Sequence, residues 1–279
     1  MRYFIILVLL LNGSFLQSET EKSLPLFYWQ SKKFVNFGDY LSLKLVQRIV
    51  GGQVDTPKHH KEQKLLAIGS VLLFAKNNDI IWGTGMNGKR MDLALYKFKE
   101  LDVRAVRGPK TRQFLQENFG IECPEVYGDP ALLIPYFFPE FKKPEEPLYD
   151  YIIIPHYTEI DFFPKSEYPN VVYPTEPWNV VIRKILNSKF VISSSLHGLI
   201  VAEAYNIPAR YLRCTENEPL FKYEDYYMGT NRQNFEYATT IDEALKMGGE
   251  PEFECDLETL YNAFPFDYWP GANLKNPFK

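Results

Sequence analysis

The sequence is poor in the residues that bind metals or form disulfide frameworks. Its 279 residues include three cysteines and four histidines. Cys123, Cys214 and Cys255 lack the close spacing that binds zinc, and three thiols can form at most one bridge. The sequence therefore predicts no metal site and no disulfide-stabilised small fold.

Positive charge is also scarce. The chain has 31 Lys and Arg against 35 Asp and Glu, a net charge of -4. No basic stripe is present that would neutralise a nucleic-acid backbone. Nucleic acid is therefore not expected as a partner.

Long apolar runs are absent, apart from a short one at the start of the chain. Arg2 precedes the apolar residues 4–11, and small residues near Ser14 and Ser18 offer cleavage points. We expect residues 1–18 to be a signal-peptide-like leader, which indicates export or a secretory-pathway lumen. The alternatives are a first β-strand or a mis-assigned start codon, which would make the protein cytoplasmic. A bilayer-spanning helix needs about 20 apolar residues, so the rest of the chain is expected to be soluble or peripherally attached to a membrane.

The remaining sequence has the composition of a globular α/β protein. Hydrophobic residues make up 46% and charged residues 24%. Short apolar runs rich in β-branched and aromatic residues alternate with amphipathic stretches, which is typical of parallel sheets with crossing helices. The predicted strands are residues 24–29, 64–69, 79–83, 103–107, 125–127, 151–154, 190–194 and 210–213. The predicted helices are residues 40–50, 109–118, 179–187, 197–205, 241–247 and 257–264.

A segment rich in proline and charge, residues 139–149, has the composition of an interdomain linker. We therefore predict two Rossmann-like α/β domains facing a cleft, residues 24–140 and 150–264, followed by a C-terminal tail, residues 265–279. In such sheets, ligands bind beyond the carboxyl ends of the strands. Aromatic residues in loops 136–139 and 161–164 would suit a sugar-binding wall, or they pin these loops to the core.

The most informative segment follows the predicted strand 190–194. Ser194 and Ser195 can cap the helix that begins there, and its free N–H groups can bind a phosphate or carboxylate. Gly198 is expected to let the backbone approach a ligand, and His197 places a titratable imidazole beside it. The alternative is an ordinary capped helix whose histidine only fills space.

Several other strand ends combine glycine with a polar residue. Arg107 is expected to reach into the cleft and bind an anion, or else to form a salt bridge to an acid such as Asp129. Asp39 and Asp129 are candidate acid or base groups, or they cap helices or hold Arg107. The motifs are Asn36-Phe37-Gly38-Asp39, Ile68-Gly69-Ser70, Trp82-Gly83-Thr84-Gly85, Arg107-Gly108-Pro109 and Gly128-Asp129-Pro130.

Taken in order with Ile154-Pro155-His156-Tyr157 and the serine-rich segment ending at His197-Gly198, these motifs resemble the polysaccharide pyruvyl transferase family. The segment 221–227 also resembles the pattern of the exopolysaccharide ketal-pyruvate transferases, and the likeness runs from Leu24 to about Arg232. The resemblance implies a GT-B-like pair of domains, phosphoenolpyruvate as donor, and a sugar or lipid-linked oligosaccharide as acceptor. It places Arg107 and His197 at the donor, with His156 as a further candidate.

This resemblance implies transfer of a pyruvyl group to a sugar diol with release of phosphate, forming a ketal. We expect His197 to act as the acid and Asp39 as the base, with no cofactor or metal required. Two alternatives remain: a GT-B-type glycosyltransferase using a nucleotide sugar, and a carbohydrate-binding relative without catalysis. The predicted substrate-binding residues are Asn36, Gly38, Arg107, Asp129, His156, Ser194, Ser195 and Gly198.

Overall fold

The structure is a computed structural model that describes residues 24–57, 62–269 and 276–279. The predicted leader, residues 1–18, lies outside the described residues. The fold is α/β, with two four-stranded sheets in which all neighbouring strands are parallel. This confirms the predicted class. The GT-B-like arrangement of two domains stays a prediction.

The first sheet has the strand order β1-β2-β3-β4. Its strands are β1 Leu26–Phe27, β2 Leu65–Leu66, β3 Ile80–Trp82 and β4 Asp102–Ala105. Helix α1, Phe37–Val50, follows β1, and helix α2, Pro109–Phe119, follows β4. The predicted strand 125–127 is reduced to an isolated bridge between Val106 and Tyr127.

The second sheet has the order β5-β6-β7-β8. Its strands are β5 Ile152–Ile154, β6 Val191–Ser193, β7 Ala209–Leu212 and β8 Tyr237–Ala238. The other α-helices are α3 Ile134–Phe137, α4 Trp178–Leu186, α5 Leu196–Ala204, α6 Phe221–Gly229, α7 Ile241–Met247 and α8 Leu257–Asn262. Over the ranges that the structure describes, no helix has both the length and the apolar character to cross a membrane.

Capping residues set the ends of the helices that flank the first sheet. The side chain of Asn36 accepts hydrogen bonds from the backbone of Gly38 and Asp39, so α1 begins three residues before its predicted start. Gly51 and Gly120 end α1 and α2 in the left-handed conformation, as the Schellman-type pattern predicts.

A continuous hydrophobic core joins the two sheets. Helix α5 packs against the 3₁₀ helix Pro130–Leu133, and α1 packs against α4. Helix α8 returns to the first sheet, where the indole Nε1 of Trp82 donates a 2.8 Å hydrogen bond to the carbonyl of Leu260. The domain boundary predicted at residues 140–150 stays a prediction. Elements before and after it contribute side chains to the same hydrophobic core.

Helix α6 bridges the two halves through its side chains. Asp225 is fully buried and pairs with the guanidinium of Arg107, with 3.1 Å to Nε and 2.9 Å to Nη2. The same carboxylate accepts hydrogen bonds from the backbone and the hydroxyl of Thr111, at the start of α2. On the other side, the hydroxyl of Tyr223 donates a 2.6 Å hydrogen bond to the carbonyl of Ser194.

Glycines make room for this buried ion pair. A Cβ atom on Gly108 would lie 1.7 Å from the backbone oxygen of Asp225, and one on Gly85 would lie 2.6 Å from Cζ of Arg107. Two of the glycines in the strand-end motifs are therefore required for close packing around Arg107.

We predict that Asp225→Ala lowers the free energy of unfolding by about 3–5 kcal/mol, since it leaves the buried Arg107 cation unpaired. Urea denaturation measures this loss. Glu125→Gln is the matched control, because Glu125 also pairs with an arginine, Arg112, but is 72% exposed. The control should cost less than about 1 kcal/mol, and equal losses would contradict the importance of the buried pair.

Candidate functional site

A cavity of about 380 Å³ lies where the strand-end segments of both sheets meet. Segments that follow β1, β2, β3, β5 and β6 line it, as expected for the carboxyl edges of parallel strands. Helix α6 contributes a further wall. The polar and charged side chains around the cavity are those of Asn36, Asp39, Ser70, Asn87, Lys89, Arg90, His156, Ser195, His197 and Lys222.

The N-terminus of α5 opens into this cavity. The N–H groups of Gly198 and Leu199 bond to the carbonyl of Ser195. Those of Leu196 and His197 have no hydrogen-bond partner among the described residues. Free N–H groups at the positive end of a helix favour an anion. This part of the structure agrees with the geometry expected of an anion site.

The serines of this segment do not make the capping contacts that the sequence predicts, and its glycine packs against a strand. Neither Ser194 nor Ser195 caps α5 through its side chain; Ser194 Oγ instead accepts a 2.8 Å hydrogen bond from the backbone of His156. A Cβ on Gly198 would lie 2.3 Å from Ser193 Oγ. Gly198 is therefore needed for helix-to-strand packing, and its approach to a ligand stays a prediction.

His197 lies between α1 and the Gly128-Asp129-Pro130 turn. Its ring packs directly on Gly38, where a Cβ would lie 2.1 Å from Nδ1. Its Nε2 is 3.7 Å from Oδ2 of Asp129. The structure thus brings Asn36, Gly38, Asp129 and His197 together from both halves of the chain, as the order of the motifs predicts.

Asp39 lies in the first turn of α1, beside His197. Burial raises the pKa of this carboxyl to about 6, and the nearby carboxylate of Asp129 adds to the effect, while His197 and Lys222 oppose it. A carboxylate whose pKa is close to neutrality can accept a proton near physiological pH, as a general base must.

A buried ionic cluster around Glu218 lies beside the cavity, and its members Lys89, His156 and Lys222 line it. Glu218 binds Lys222 through a 2.6 Å hydrogen bond, contacts Lys89, and lies 3.3 Å from Nδ1 of His156. Burial alone would raise the pKa of Glu218, but the surrounding cations lower it overall. Lys222 is almost fully buried, and desolvation lowers its pKa against the opposing effect of Glu218.

His156 does not add a positive charge to the cavity. Burial, followed by the repulsion of Lys222, lowers the pKa of His156 to about 3. Its Nδ1 lies 2.7 Å from the hydroxyl of Thr158. His156 lines the cavity as predicted, but as a neutral imidazole that can offer only hydrogen bonds.

Arg107 lies behind the cavity and does not point into it. All three of its guanidinium nitrogens have partners: Nε and Nη2 bind Asp225, Nη2 also binds the carbonyl of Met86, and Nη1 donates a 2.7 Å bond to Ser70. The expected salt-bridge alternative is therefore what the structure shows, with Asp225 as the partner instead of Asp129. Each guanidinium nitrogen is engaged by these buried partners. Arg107 therefore acts on the cavity only through its hydrogen bond to Ser70, which lines it.

Sequence reasoning missed the lysines and the aromatic residues of the site. Lys222 belongs to the segment 221–227, and Glu218, four residues earlier in the sequence and just ahead of α6, forms an ion pair with it. An acid four residues before a lysine is the sequence signal that could have indicated this pair. Trp29 and Tyr157 stack with ring centroids 5.5 Å apart and an angle of 27°, and both line the cavity. The predicted aromatic loops 136–139 and 161–164 do not line it.

Within the described ranges, no group of three or more His, Cys, Asp or Glu side chains is arranged to hold a metal ion. The ionisable groups at the cavity are two ion-paired lysines, Arg90, two imidazoles and the carboxylates near α1.

We predict that Asp39→Asn stabilises the protein at high pH. The pKa of Asp39 is raised in the folded state, so its ionised form carries a cost that is present above about pH 6 and absent below about pH 4. The gain in Tm should therefore shrink as pH falls through about 6. Differential scanning calorimetry across this range measures it.

Asp256→Asn is the control of opposite sign for the calorimetry. Hydrogen bonds from Thr259 lower the pKa of Asp256, so its ionised form stabilises the fold at neutral pH and this contribution is lost in acid. The control variant should lose Tm at neutral pH. A pH-independent effect of Asp39→Asn would contradict the buried, desolvated state of this carboxyl.

Known proteins extend these observations. The protein L143 of Acanthamoeba polyphaga mimivirus is 28% identical over 251 residues, which cover 82% of this chain and 85% of that protein. The succinoglycan biosynthesis protein ExoV of Rhizobium meliloti (strain 1021) is 29% identical over 211 residues, 72% of this chain and 63% of ExoV. No solved structure matches the chain significantly. The family model named polysaccharide pyruvyl transferase matches residues 8–216, and the chain therefore belongs to this family of enzymes.

Proposed function

We propose that the protein transfers the pyruvyl group of phosphoenolpyruvate to a sugar of a polysaccharide or glycan, with release of phosphate. One observation carries the donor assignment: the free N–H groups at the start of α5 and the ammonium group of Lys222 converge on the cavity that contains His197. Phosphoenolpyruvate has two anionic groups, and two separate cationic features support its binding.

The lysines supply the second of these features. Lys222 is held in place by Glu218, and Lys89 shares the same carboxylate at the more exposed side of the cavity. The guanidinium of Arg90, which also lines the cavity, has no hydrogen-bond or ion-pair partner among the described residues. These groups leave net positive charge available for a phosphate or carboxylate that enters from solvent.

The acceptor is proposed to lie on the aromatic side of the cavity. Trp29 and Tyr157 come from different halves and form one stacked pair, with Phe34 packed against both rings. Aromatic rings present the apolar faces that sugar rings contact. The name of the relative ExoV refers to succinoglycan biosynthesis, which supports a polysaccharide or its lipid-linked oligosaccharide precursor as acceptor.

The proposed reaction adds two hydroxyl oxygens to one carbon. His197 delivers a proton to the methylene carbon, which leaves an oxocarbenium-like centre at the neighbouring carbon. A first sugar hydroxyl attacks this carbon and loses its proton to Asp39. The bond between this carbon and the phosphate oxygen then breaks, and the departing phosphate takes the proton from Asp39. A second sugar hydroxyl attacks the same carbon and gives its proton to the now neutral His197, so the ketal and inorganic phosphate form and both residues return to their starting states. The scheme uses no cofactor, and the two anionic groups of the donor are held by the α5 N-terminus and Lys222.

We predict that phosphoenolpyruvate raises the Tm of the protein, because a ligand that binds only the folded state stabilises it by mass action, by about 2.7 kcal/mol at 100 times its Kd. Differential scanning fluorimetry measures this, with inorganic phosphate and pyruvate as matched controls. A shift with a nucleotide sugar and none with phosphoenolpyruvate would instead support the glycosyltransferase alternative.

We predict that Lys222→Met raises the KM for phosphoenolpyruvate, whereas His197→Asn lowers kcat. Loss of the Lys222 charge removes a charge-assisted contact worth about 1.5–3 kcal/mol, so the KM for phosphoenolpyruvate should rise about 10- to 100-fold. Loss of the acid at His197 should lower kcat about 100- to 10,000-fold. Phosphate release at varied donor concentration separates the two.

Lys165→Met is the matched control for these kinetics, since Lys165 pairs with Glu176 on the surface at 3.0 Å. It should leave both constants unchanged. An unchanged KM in Lys222→Met would remove this lysine from donor binding, and normal turnover of His197→Asn at saturating donor would remove the proposed acid.

A further inference from the structure

Two buried polar atoms face each other beside the cavity and neither has a partner. Asp129 is fully buried, and its Oδ1 accepts a 3.0 Å hydrogen bond from the backbone of Ala131. Its other oxygen, Oδ2, and Nε2 of His197 are both buried without a hydrogen bond among the described residues. They are 3.7 Å apart.

This separation is just beyond hydrogen-bond length. A buried polar group left without a hydrogen bond costs about 1–3 kcal/mol. A shift that brought Oδ2 of Asp129 and Nε2 of His197 within hydrogen-bond distance would therefore be favourable. Contacts of this kind in an active site are often long without ligand and tighten when substrate binds. A carboxylate accepts and cannot donate. The pair therefore closes only when Nε2 of His197 carries a proton.

We propose that Asp129 is a positioning residue that keeps a proton on Nε2 of His197 and leaves Nδ1 to exchange a proton with the ligand in the cavity. The proposal rests on the proposed function for the step that it serves. In that step the imidazolium releases the Nδ1 proton to the methylene carbon of phosphoenolpyruvate. The neutral ring then retains its Nε2 proton against Asp129.

Packing holds the ring in the orientation that this requires. Gly38 lies against the side of the ring formed by Cβ, Cγ and Nδ1, where a Cβ would come within 2.1 Å of Nδ1. Nδ1 is nevertheless not fully buried, unlike Nε2, and His197 lines the cavity. The 3₁₀ helix Pro130–Leu133, whose first turn Asp129 caps, packs against α5, which carries His197. The imidazole is thus confined between a glycine and a carboxylate that are both fixed by helix starts.

The ionisable groups near His197 are Asp129, Asp39, Lys222 and the neutral imidazole of His156. Of these groups, Asp129 is the carboxylate whose oxygen faces a ring nitrogen within 4 Å. Its replacement should therefore change which ring nitrogen of neutral His197 carries the proton.

The first test uses the wild-type chain and needs no variant to fold. Nitrogen-15 chemical shifts of the histidine rings report which nitrogen carries the proton, and subtraction of a His197→Asn spectrum assigns one of the four histidines. We expect neutral His197 to be the Nε2–H tautomer. An Nδ1–H tautomer, or an even mixture of the two, would overturn the proposal.

The second test is Asp129→Asn, which preserves the hydrogen bond to Ala131 through the amide oxygen but removes the charge. We expect the neutral ring of His197 in this variant to lose its preference for the Nε2–H tautomer in the nitrogen-15 spectrum. The kcat should fall about 10- to 100-fold with little change in donor KM. An unchanged tautomer would overturn the proposal whatever happens to activity.

Asp92→Asn is the matched control, since Asp92 caps the 3₁₀ helix Leu93–Leu95 with the same 3.0 Å contact to the residue two positions on. It should leave the tautomer of His197 and kcat unchanged. If the wild type releases no phosphate from phosphoenolpyruvate with any acceptor, the proposed function fails. The tautomer measurement still decides independently whether Asp129 directs His197.

Discussion

The buried ion pair between Arg107 and Asp225 is the constraint on which the arrangement of the site depends. It joins residues 118 positions apart in the chain and fixes three elements together. Asp225 holds the start of α2 through Thr111, Arg107 holds the loop after β2 through Ser70, and both anchor α6. Lys222 lies three residues before Asp225 on this helix, so the pair also sets where the cavity has its buried cation. Buried ion pairs contribute little net stability but are costly to break. The pair between Arg107 and Asp225 therefore fits a role in fixing where α2, α6 and the loop after β2 lie.

Opposing charges are held at the cavity without being fully neutralised. The raised pKa of Asp39 and the lowered pKa of His156 both arise chiefly from desolvation, which shows that burial outweighs the attraction of neighbouring charges there. Glu218 behaves differently, because several cations outweigh its burial and lower its pKa. Desolvation therefore decides the charge state of Asp39 and His156, whereas neighbouring cations decide that of Glu218, only 3.3 Å from His156. Such differences are typical of sites where acid and base roles must be kept apart.

The sequence predicted the class of fold and the positions of most helices, because apolar periodicity acts locally. The cap at Asn36 was not predicted, so the start of α1 was placed three residues late. The sequence also placed the strand-end motifs at one edge, since parallel strands bring their carboxyl ends together. Helix α6 was missed, because its aromatic and charged residues lack a clear apolar stripe. The partner of Arg107 depends on a contact across 118 residues, which no local pattern specifies. Gly198 was assigned to a ligand because glycine after a strand suits either a ligand or, as observed, close packing on Ser193.

Two helix starts meet at His197, and this explains why acidic residues occur in a site proposed to bind anions. The N-termini of α1 and α5 are in contact through Gly38 and His197, and α1 is tied to the second half by the hydrogen bond from Phe37 to the carbonyl of Pro174. Each N-terminus carries partial positive charge, so their meeting would repel. Asp39, in the first turn of α1, offsets this charge at the junction. The free N–H groups of α5 remain available to a ligand, together with Lys222 of α6 and Lys89. The junction therefore brings the two helix starts together at His197 while the cavity still attracts an anion.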